Sequence, residues 1–235
     1  MIRDKPMIQW VYERTLRSRL VSEVIVATDD ERIRQAVLGF GGKAVMTSAG
    51  HATGTDRIAE VARSLTCDVI VNVQGDEPLI HPEMIDQAIA PLVNDAAVEM
   101  ATVCRKIEDP REAFDPNVVK VVFDKKGYAL YFSRAPIPWD RDRWSGIDRL
   151  GDLTLTANMY KHIGLYVYRR EFLLALATMP QTELEAAEKL EQLRVLEGGH
   201  AIRIAVTEHE SFGVDIPDDL SKILQRLNEG EERHA

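Results

Sequence analysis

The sequence predicts an α/β fold, with a mostly parallel sheet and helices on both of its faces. In the first hundred residues, short apolar runs rich in Val and Ile alternate with segments of helical periodicity. These runs end abruptly in polar turns, as at 68–78 (DVIVNVQGDEP). The 235 residues suffice for one large domain, or for one domain with an embedded lobe, that buries roughly 70% of its unfolded surface without disulfide or metal staples.

Helices and strands of the first half follow from spacing and from end signals. Asp4 can cap a helix that begins near Pro6, and Thr55 or Asp56 can open another. Because the pattern begins with a helix, the strand that would normally open such an alternation is missing. Strands are predicted at 24–27, 43–46, 68–73 and 99–104, and further helices through 33–37 and over 83–93.

After residue 105 the pattern changes from alternation to a hairpin and a long loop. Two strand-like runs, 118–123 and 128–132, flank the turn signal DKKG. The stretch 136–156 has no clear period, is rich in Pro, Trp, Arg and Asp, and is predicted to be an ordered loop of functional importance. Strands at 162–168 and 201–207, and helices at 170–178, at 182–197 and beyond Pro217, complete the prediction.

Composition excludes several function classes. The net charge of −9 argues against nucleic-acid binding and against binding to anionic membranes. Cys67 and Cys104 form neither a spaced metal cluster nor a disulfide framework, and are predicted to be reduced thiols of a cytoplasmic protein. The first residues have no apolar core of a signal peptide, and no apolar run is long enough to span a bilayer.

The turn QGDEP at 74–78 is the first candidate site. Ligands of open parallel sheets bind beyond the carboxyl ends of the strands, so the turn would present Asp76 there, with Gln74 and Glu77 beside it. Hard oxygen ligands suit Mg²⁺ and a phosphate substrate. The alternative is a helix N-terminus with capping acids, which is common after any strand.

Eight segments of the chain have a distinctive sequence: 25–29 (IVATD), 51–57 (HATGTDR), 71–78 (VNVQGDEP), 117–122 (NVVKVV), 131–143 (YFSRAPIPWDRDR), 162–166 (HIGLY), 190–196 (LEQLRVL) and 213–217 (GVDIP). Together they resemble the 3-deoxy-manno-octulosonate (Kdo) cytidylyltransferase family. The resemblance extends from about Lys5 to the last helix, and 131–143 is its most specific part, because related nucleotidyltransferases share the sheet but not this run.

The resemblance implies a reaction and an architecture. CTP and Kdo would give CMP-Kdo and pyrophosphate, with Mg²⁺ as cofactor, and the product would feed lipopolysaccharide assembly. Family members are cytoplasmic homodimers. Their Rossmann-like sheet of nucleotidyltransferase type would occupy a single domain, 1–235, in which a smaller lobe at about 120–170 serves dimerisation and sugar binding.

The resemblance also assigns roles to residues. Asp76 and Asp215 would hold the metal, although Asp215 alone reads as a helix N-cap ahead of Pro217. Thr53, Gly54 and Thr55 would face the nucleotide, with Gln74 nearby; a plain capping loop is the alternative. The sugar acid would contact Arg134, Arg141, His162, Tyr166, Glu191 and Gln192.

Each sugar-site residue also has a structural explanation. Arg141 lies between Asp140 and Asp142 and could belong to a surface ion-pair run. His162 could be an ordinary hydrogen-bonded histidine and Tyr166 a core residue. Glu191 and Gln192 could lie on the solvated face of a helix.

The family opens with a strand and a basic loop of the form Pro-Ala-Arg-x-x-Ser-x-Arg-Leu-Pro-x-Lys, which grips the CTP phosphates. Met1 to Ile8 match the segment just after that loop. The natural start could therefore lie upstream of Met1, or the chain could be a shortened form that binds CTP poorly. Two other functions stay open: a cytidylyltransferase for another sugar acid, and a sugar-binding or dimerisation protein without turnover.

Overall fold

The computed structural model describes residues 1–144, 155, 159–214 and 217–232. The chain forms two compact units. The first comprises Met1–Cys67, Val71–Asp86 and His209–Ala235, and the second comprises Asp68–Ile70 and Gln87–Glu208. Both helices and strands are present throughout, which confirms the α/β class.

The elements follow the predicted order along the chain. Their bounds are α1 Met7–Thr15, β1 Val26–Thr28, α2 Glu31–Gly39, β2 Ala44–Met46, α3 Gly54–Ala62, β3 Val69–Asn72, α4 Pro82–Asn94, β4 Met100–Lys106, α5 Pro110–Phe114, β5 Lys120–Phe123, β6 Ala129–Ser133, α6 Arg141–Trp144, β7 Tyr160–Arg169, α7 Arg170–Leu176, α8 Glu183–Glu188, α9 Gln192–Glu197, β8 Ile202–Thr207 and α10 Pro217–Glu232.

In the first unit, β1 and β2 form a parallel pair between helices. Val26 lies opposite Ala44, and Thr28 lies opposite Met46. Helix α1 begins after Pro6 without a side-chain cap, so the predicted capping by Asp4 is wrong. The start of α2 is capped, because the Asp30 carboxylate accepts from the Arg32 amide at 2.7 Å. The N- and C-terminal parts of the unit share one core, in which Ile2, Ile223 and Leu227 are buried.

The second unit contains a mixed sheet with the strand order β6-β5-β7-β4-β8. Strand β4 pairs in parallel with β8 and antiparallel with β7, and β5 pairs antiparallel with β6 and β7. Strand β3, whose first residues belong to this unit, also pairs with β7. The predicted hairpin is β5–β6, where the Asp124 carboxylate accepts from the amides of Lys126 and Tyr128, both at 2.8 Å.

Two local features differ from the sequence prediction. The helix predicted over 182–197 is two helices, α8 and α9, because Lys189 adopts a left-handed conformation with φ of 54° between them. Helix α5 was not predicted: Asp109 caps it and Pro110 begins it. Of the predicted loop 136–156, the described part contains the short helix α6. Within the described residues, no helix has the length and hydrophobicity needed to cross a bilayer.

A buried ion pair joins the two short helices. Arg194 Nε and Nη2 donate to the two carboxylate oxygens of Glu185 at 2.8 and 2.6 Å, and the side chains are only 10% and 6% exposed. Burial alone would raise the pKa of Glu185, but hydrogen bonds from Arg194 and from the Thr182 amide outweigh it and lower the pKa. This pair holds α8 and α9 in their bent arrangement.

We expect Arg194→Met to lower the free energy of unfolding by about 3–5 kcal/mol, because it leaves the Glu185 carboxylate buried and unpaired. Urea denaturation followed by circular dichroism measures this change. The matched control is Arg111→Met, since Arg111 makes a similar two-point contact with Asp109 on the surface and is 84% exposed. A loss no larger than that of the control would mean that the pair does not hold the helices.

Candidate active site

Polar side chains gather at the carboxyl ends of β1 and β2. The Thr47 amide donates to the Thr28 carbonyl at 2.9 Å, one residue beyond the last paired position. Arg57 links the two strand ends, because its Nη1 donates to Thr47 Oγ1 at 2.6 Å and its Nη2 lies 3.1 Å from Asp29 Oδ2. This is the edge at which open α/β sheets bind ligands.

Helix α3 lies in the same unit and begins at Gly54. Thr53 Oγ1 accepts from the Asp56 amide at 3.1 Å, which caps the helix. A Cβ atom at Gly54 would meet nothing within 4 Å, so a ligand can approach the backbone closely. Thr55 is buried. Sequence reasoning proposed both a nucleotide contact and a capping role here; the capping role is observed, and it leaves space beside Gly54.

Asp76 lies on the turn that follows β3. The Glu77 amide donates to the Gln74 carbonyl at 3.3 Å, and the Val214 amide donates to the Asp76 carbonyl at 2.9 Å. Asp76 and Gln74 are both half-buried, and no described residue donates a hydrogen bond to the Asp76 carboxylate. Asp215, the second predicted metal ligand, lies outside the described residues, directly after Val214 in the chain.

Glu77 has a different environment from its neighbour. Its Oε2 accepts from Ser211 Oγ at 2.6 Å. Burial raises the pKa of Glu77, and the nearby charge of Asp76 adds to this effect, although the Ser211 hydrogen bond opposes it. Glu77 therefore joins the turn to the segment before Val214, whereas Asp76 keeps its carboxylate available.

In the second unit, a bulge in β7 shapes the place predicted for the sugar. Thr102 pairs with Tyr166, but the next residue of β4, Val103, pairs with Ile163, so two residues of β7 are left out of the ladder. Bulges of this kind often lie beside active sites, where they redirect side chains. His162 and Tyr166 stand on either side of the bulge, with ring centroids 5.4 Å apart.

The hydroxyl of Thr102 fills the break in the ladder. Thr102 is fully buried, and its Oγ1 lies 2.8 Å from the Leu165 carbonyl and 2.8 Å from His162 Nε2. Because the hydroxyl gives its single hydrogen to a carbonyl, it accepts one from His162 Nε2. Burial lowers the pKa of His162 to about 3, so its ring is neutral near pH 7, with the Nδ1 lone pair available.

Gln192 completes a cluster with these two rings. The Tyr166 hydroxyl donates to Gln192 Oε1 at 3.1 Å. Gln192 is only 4% exposed, and its Nε2 has no hydrogen-bond partner among the described residues. An unpaired buried donor costs about 1–3 kcal/mol, so a partner of complementary chemistry is expected to fill its place. Glu191, half-buried, immediately precedes α9.

Arg134 is held by the main chain. Its Nε donates to the Glu188 carbonyl at 2.7 Å and its Nη1 donates to the Pro116 carbonyl at 2.9 Å. The Arg134 amide in turn donates to the Glu188 carboxylate at 2.9 Å. The guanidinium therefore joins the end of β6 to the turn between α8 and α9, and this arrangement favours a positioning role for Arg134.

Arg141 begins the short helix α6 and is exposed. The helix is anchored at its other end by Trp144, which is buried against Ile107, Ala113 and Met159. Met159 directly precedes β7, so α6 is tied to the strand that carries His162. Arg141 thus presents a cation on the anchored part of the predicted loop.

Thr102 and Lys120 are two residues that sequence reasoning did not single out. Lys120 is fully buried, and its ammonium donates to the carbonyls of Asp115, Val118 and Arg134 at 2.6–2.8 Å. Burial lowers its pKa. The signal in both cases was a polar residue within an apolar strand, at TVC for Thr102 and at VVKVV for Lys120.

Comparisons with known proteins identify the family of this chain. A family model described as cytidylyltransferase matches residues 1–204. The 3-deoxy-manno-octulosonate cytidylyltransferase of Geobacter sulfurreducens is 59% identical over 226 residues, which cover 96% of this chain and 90% of the relative. The enzyme of the same name from Syntrophotalea carbinolica is 53% identical, over 96% of this chain and 90% of the relative.

Two solved structures are similar to this chain. One is a CMP:2-keto-3-deoxy-manno-octonic acid synthetase complexed with CTP, with a TM-score of 0.89, 42% identity, and coverage of 98% of this chain and 90% of that one. The other is a 4-diphosphocytidyl-2C-methyl-D-erythritol synthase from Anaerococcus prevotii, with a TM-score of 0.60, 12% identity, and coverage of 97% and 88%; it shows a shared fold only. The chain belongs to the 3-deoxy-manno-octulosonate cytidylyltransferase family.

Proposed function

We propose that this chain transfers CMP from CTP to Kdo, which forms CMP-Kdo and releases pyrophosphate. The observation that carries the proposal is the cluster of His162, Tyr166 and Gln192, in which the buried Nε2 of Gln192 lacks a hydrogen-bond partner among the described residues. Membership of the cytidylyltransferase family supports the reaction. A coupled assay of pyrophosphate release from CTP, with and without Kdo, tests it directly on the full-length gene product.

The reaction leaves little covalent work to the protein. The anomeric hydroxyl of Kdo attacks the α-phosphorus of CTP, a new P–O bond forms, and the bond between the α- and β-phosphates breaks. Pyrophosphate departs with the bonding electrons, and the hydroxyl proton is lost to solvent or to a nearby base. Catalysis then depends on positioning and on stabilising negative charge at the phosphates.

The first unit supplies groups suited to the nucleotide. The open space beside Gly54 and the N–H groups of the first turn of α3 suit an anion or a nucleotide oxygen. We assign Thr53, Gly54, Thr55 and Gln74 to this part of the site, on the strength of the resemblance and of this opening. Arg57 and Asp29 form its polar border.

Mg²⁺ is a proposal that rests on Asp76. Its carboxylate is half-buried and receives no hydrogen bond from a described residue, which suits a hard cation. The Val214 amide binds the Asp76 carbonyl, so the chain just before Asp215 is fixed to the Asp76 turn. Asp76 and Asp215 would hold the ion, which when bound neutralises phosphate charge and orients the reacting oxygens.

The second unit supplies groups suited to a hydroxylated sugar acid. His162 Nδ1 can accept from a sugar hydroxyl, Gln192 Nε2 can donate to a sugar oxygen, and the Tyr166 hydroxyl lies between them. Arg141 is the exposed cation suited to the carboxylate, since guanidinium and carboxylate can form two parallel hydrogen bonds. Arg134, directly after β6, and Glu191, directly before α9, would line the same site.

Three further properties are proposed from the resemblance. The chain would act as a homodimer, in the cytoplasm, and its product would supply lipopolysaccharide assembly. The net charge of −9 does not prevent binding of a small polyanion, because a local group of cations can hold it. The lobe at about 120–170 is the proposed dimerisation region.

We expect Asp76→Asn to lower kcat by roughly 10²–10³-fold while the melting temperature stays close to that of the unchanged protein, because one anionic ligand is lost but its shape is kept. Steady-state pyrophosphate release measures kcat. The matched control is Asp68→Asn, an exposed residue just before the same strand, which should keep full turnover. Turnover of Asp76→Asn within a few-fold of the unchanged protein would remove Asp76 from the proposed metal site.

We expect Gln192→Met to raise the KM for Kdo by about tenfold or more, with the KM for CTP little changed. Met has a similar volume and removes the unpaired N–H, but it also removes the Oε1 that accepts from the Tyr166 hydroxyl, so the two effects oppose each other and the melting temperature should change little. Gln181→Met, at an exposed position of the same unit, is the control. A lower melting temperature together with an unchanged KM for Kdo would give Gln192 a structural role.

We expect acid to destabilise the protein partly through His162. Its pKa is about 3 when folded, against an ordinary value of 6.5, so between these values the unfolded chain binds a proton that the folded chain does not. Stability is therefore lost as the pH falls from 6.5 towards 3. His162→Gln, whose amide can still donate to Thr102, should lose less stability between pH 7 and pH 4 in urea titrations. Parallel curves for the two proteins would contradict the buried neutral imidazole.

A further inference from the structure

A cluster of two histidines and one glutamate lies in the first unit, apart from the groups assigned above. His81 directly precedes α4, Glu83 is in the first turn of α4, and His209 follows β8 in the chain. The two imidazole rings stack with centroids 3.7 Å apart and planes within 7° of parallel. His209 Nε2 lies 3.1 Å from Glu83 Oε2.

The donor set suits a particular class of cation. Two imidazoles and one carboxylate are a common ligand set for Zn²⁺, with water at the fourth position. One ligand atom from each of the three residues lies within 4.8 Å of the others. Metal–ligand bonds of 2.0–2.2 Å place tetrahedral ligands about 3.4 Å apart, so the atoms need to approach by only about 1.4 Å.

Metal binding requires a modest rearrangement of side chains. Each imidazole lone pair lies in the plane of its own ring, so the lone pairs of two stacked rings lie in separate, parallel planes and do not converge on one point. At least one imidazole must therefore turn out of the stack to face a common ion. The Glu83 side chain is 61% exposed and that of His209 is 28% exposed, which leaves space for this movement. Among the described residues, one main-chain group binds the His81 ring, through a 3.3 Å hydrogen bond from the Glu83 amide to Nδ1.

The charges around the cluster set its strength. Glu83 attracts a cation, whereas the charge of Arg14 acts on His81 and repels one. We therefore expect a dissociation constant on the order of micromolar rather than the much tighter binding of closed four-ligand sites.

We propose that His81, Glu83 and His209 form a binding site for a divalent transition metal of the zinc class, separate from the magnesium site proposed at Asp76. The site would connect two segments that are already in contact. The Val214 amide binds the Asp76 carbonyl, and Ser211 Oγ binds the Glu77 carboxylate. A metal at the cluster adds a third link between 76–83 and 209–214, the segments that lead to both proposed magnesium ligands.

The test is zinc binding by isothermal titration calorimetry on tag-free protein. Cys67→Ser serves as the background, because Cys67 is an exposed thiol that could itself bind zinc, and excess Mg²⁺ occupies the other cation sites. We expect one zinc per chain in this background. His81→Gln, Glu83→Gln and His209→Gln should each weaken binding by at least tenfold, and the visible spectrum of bound Co²⁺ should indicate tetrahedral coordination.

The matched control is His200→Gln, since His200 also pairs with a single carboxylate, that of Glu99 at 3.0 Å, but no histidine of the described residues stacks on its ring. It should bind zinc like the background. Asp76→Asn should also bind normally, which separates this site from the proposed catalytic one. Three results would each overturn the proposal: zinc affinities of His81→Gln and His209→Gln equal to that of the background protein, loss of zinc binding in Asp76→Asn, or no micromolar zinc binding by the background protein.

Melting temperatures give a second readout that does not depend on turnover. Zinc should raise the melting temperature of the background protein in a concentration-dependent way, because a ligand of the folded state stabilises it by mass action. Without metal, all variants should show the same far-ultraviolet circular dichroism as the background, so that lost binding is not mistaken for lost folding. A rise of equal size in His209→Gln would contradict the link between the two segments.

Discussion

The hydrogen bonds of the Thr102 hydroxyl are the interaction on which the proposed sugar site depends. The bulge in β7 leaves two residues out of the β4–β7 ladder, and their backbone groups need partners in a buried sheet. Thr102 Oγ1 reaches both the Leu165 carbonyl and His162 Nε2. One buried hydroxyl thus stabilises the irregular strand and fixes the orientation of the His162 ring through Nε2, while the Tyr166 hydroxyl on the other side of the bulge donates to Gln192 Oε1.

In the second unit, their hydrogen bonds distinguish Lys120 and Arg134 from Gln192 of the proposed site. Lys120 and Arg134 are the kinds of residue usually assigned to anionic substrates, yet their hydrogen bonds go to main-chain carbonyls. They hold the end of β6 against the turn between α8 and α9. Gln192 follows that turn, and its Nε2 has no partner among the described residues, as is also true of Thr182 Oγ1 at the start of α8. Lys120 and Arg134 therefore form a bonded scaffold at the turn that precedes Gln192, and a fixed scaffold of this kind preorganises a binding site.

Much of the fold followed from local signals in the sequence. The alternation of apolar runs and helical periods placed most of the elements, and DKKG placed the β5–β6 hairpin. The break at Lys189 could not be predicted, because a left-handed lysine has no local signature and is imposed by the buried Glu185–Arg194 pair. The β7 bulge was equally hidden: it is defined by register against β4, and register depends on residues distant in sequence.

Some residues of the proposed site have a local sequence pattern, and others are brought together only by tertiary contacts. Asp76 can be proposed from the sequence because a strand followed by an acidic turn is a local pattern with a known place in α/β sheets. His162, Tyr166 and Gln192 needed the family resemblance, since each alone fits an ordinary core or surface residue. Their proximity depends on the bulge and on the start of α9, neither of which is local. His81 and His209 are 128 positions apart, and only the folded chain stacks their rings. Function at such places arises from tertiary contacts that no single segment encodes, so unpaired buried donors and clustered ligands in the structure are the more direct guide to it.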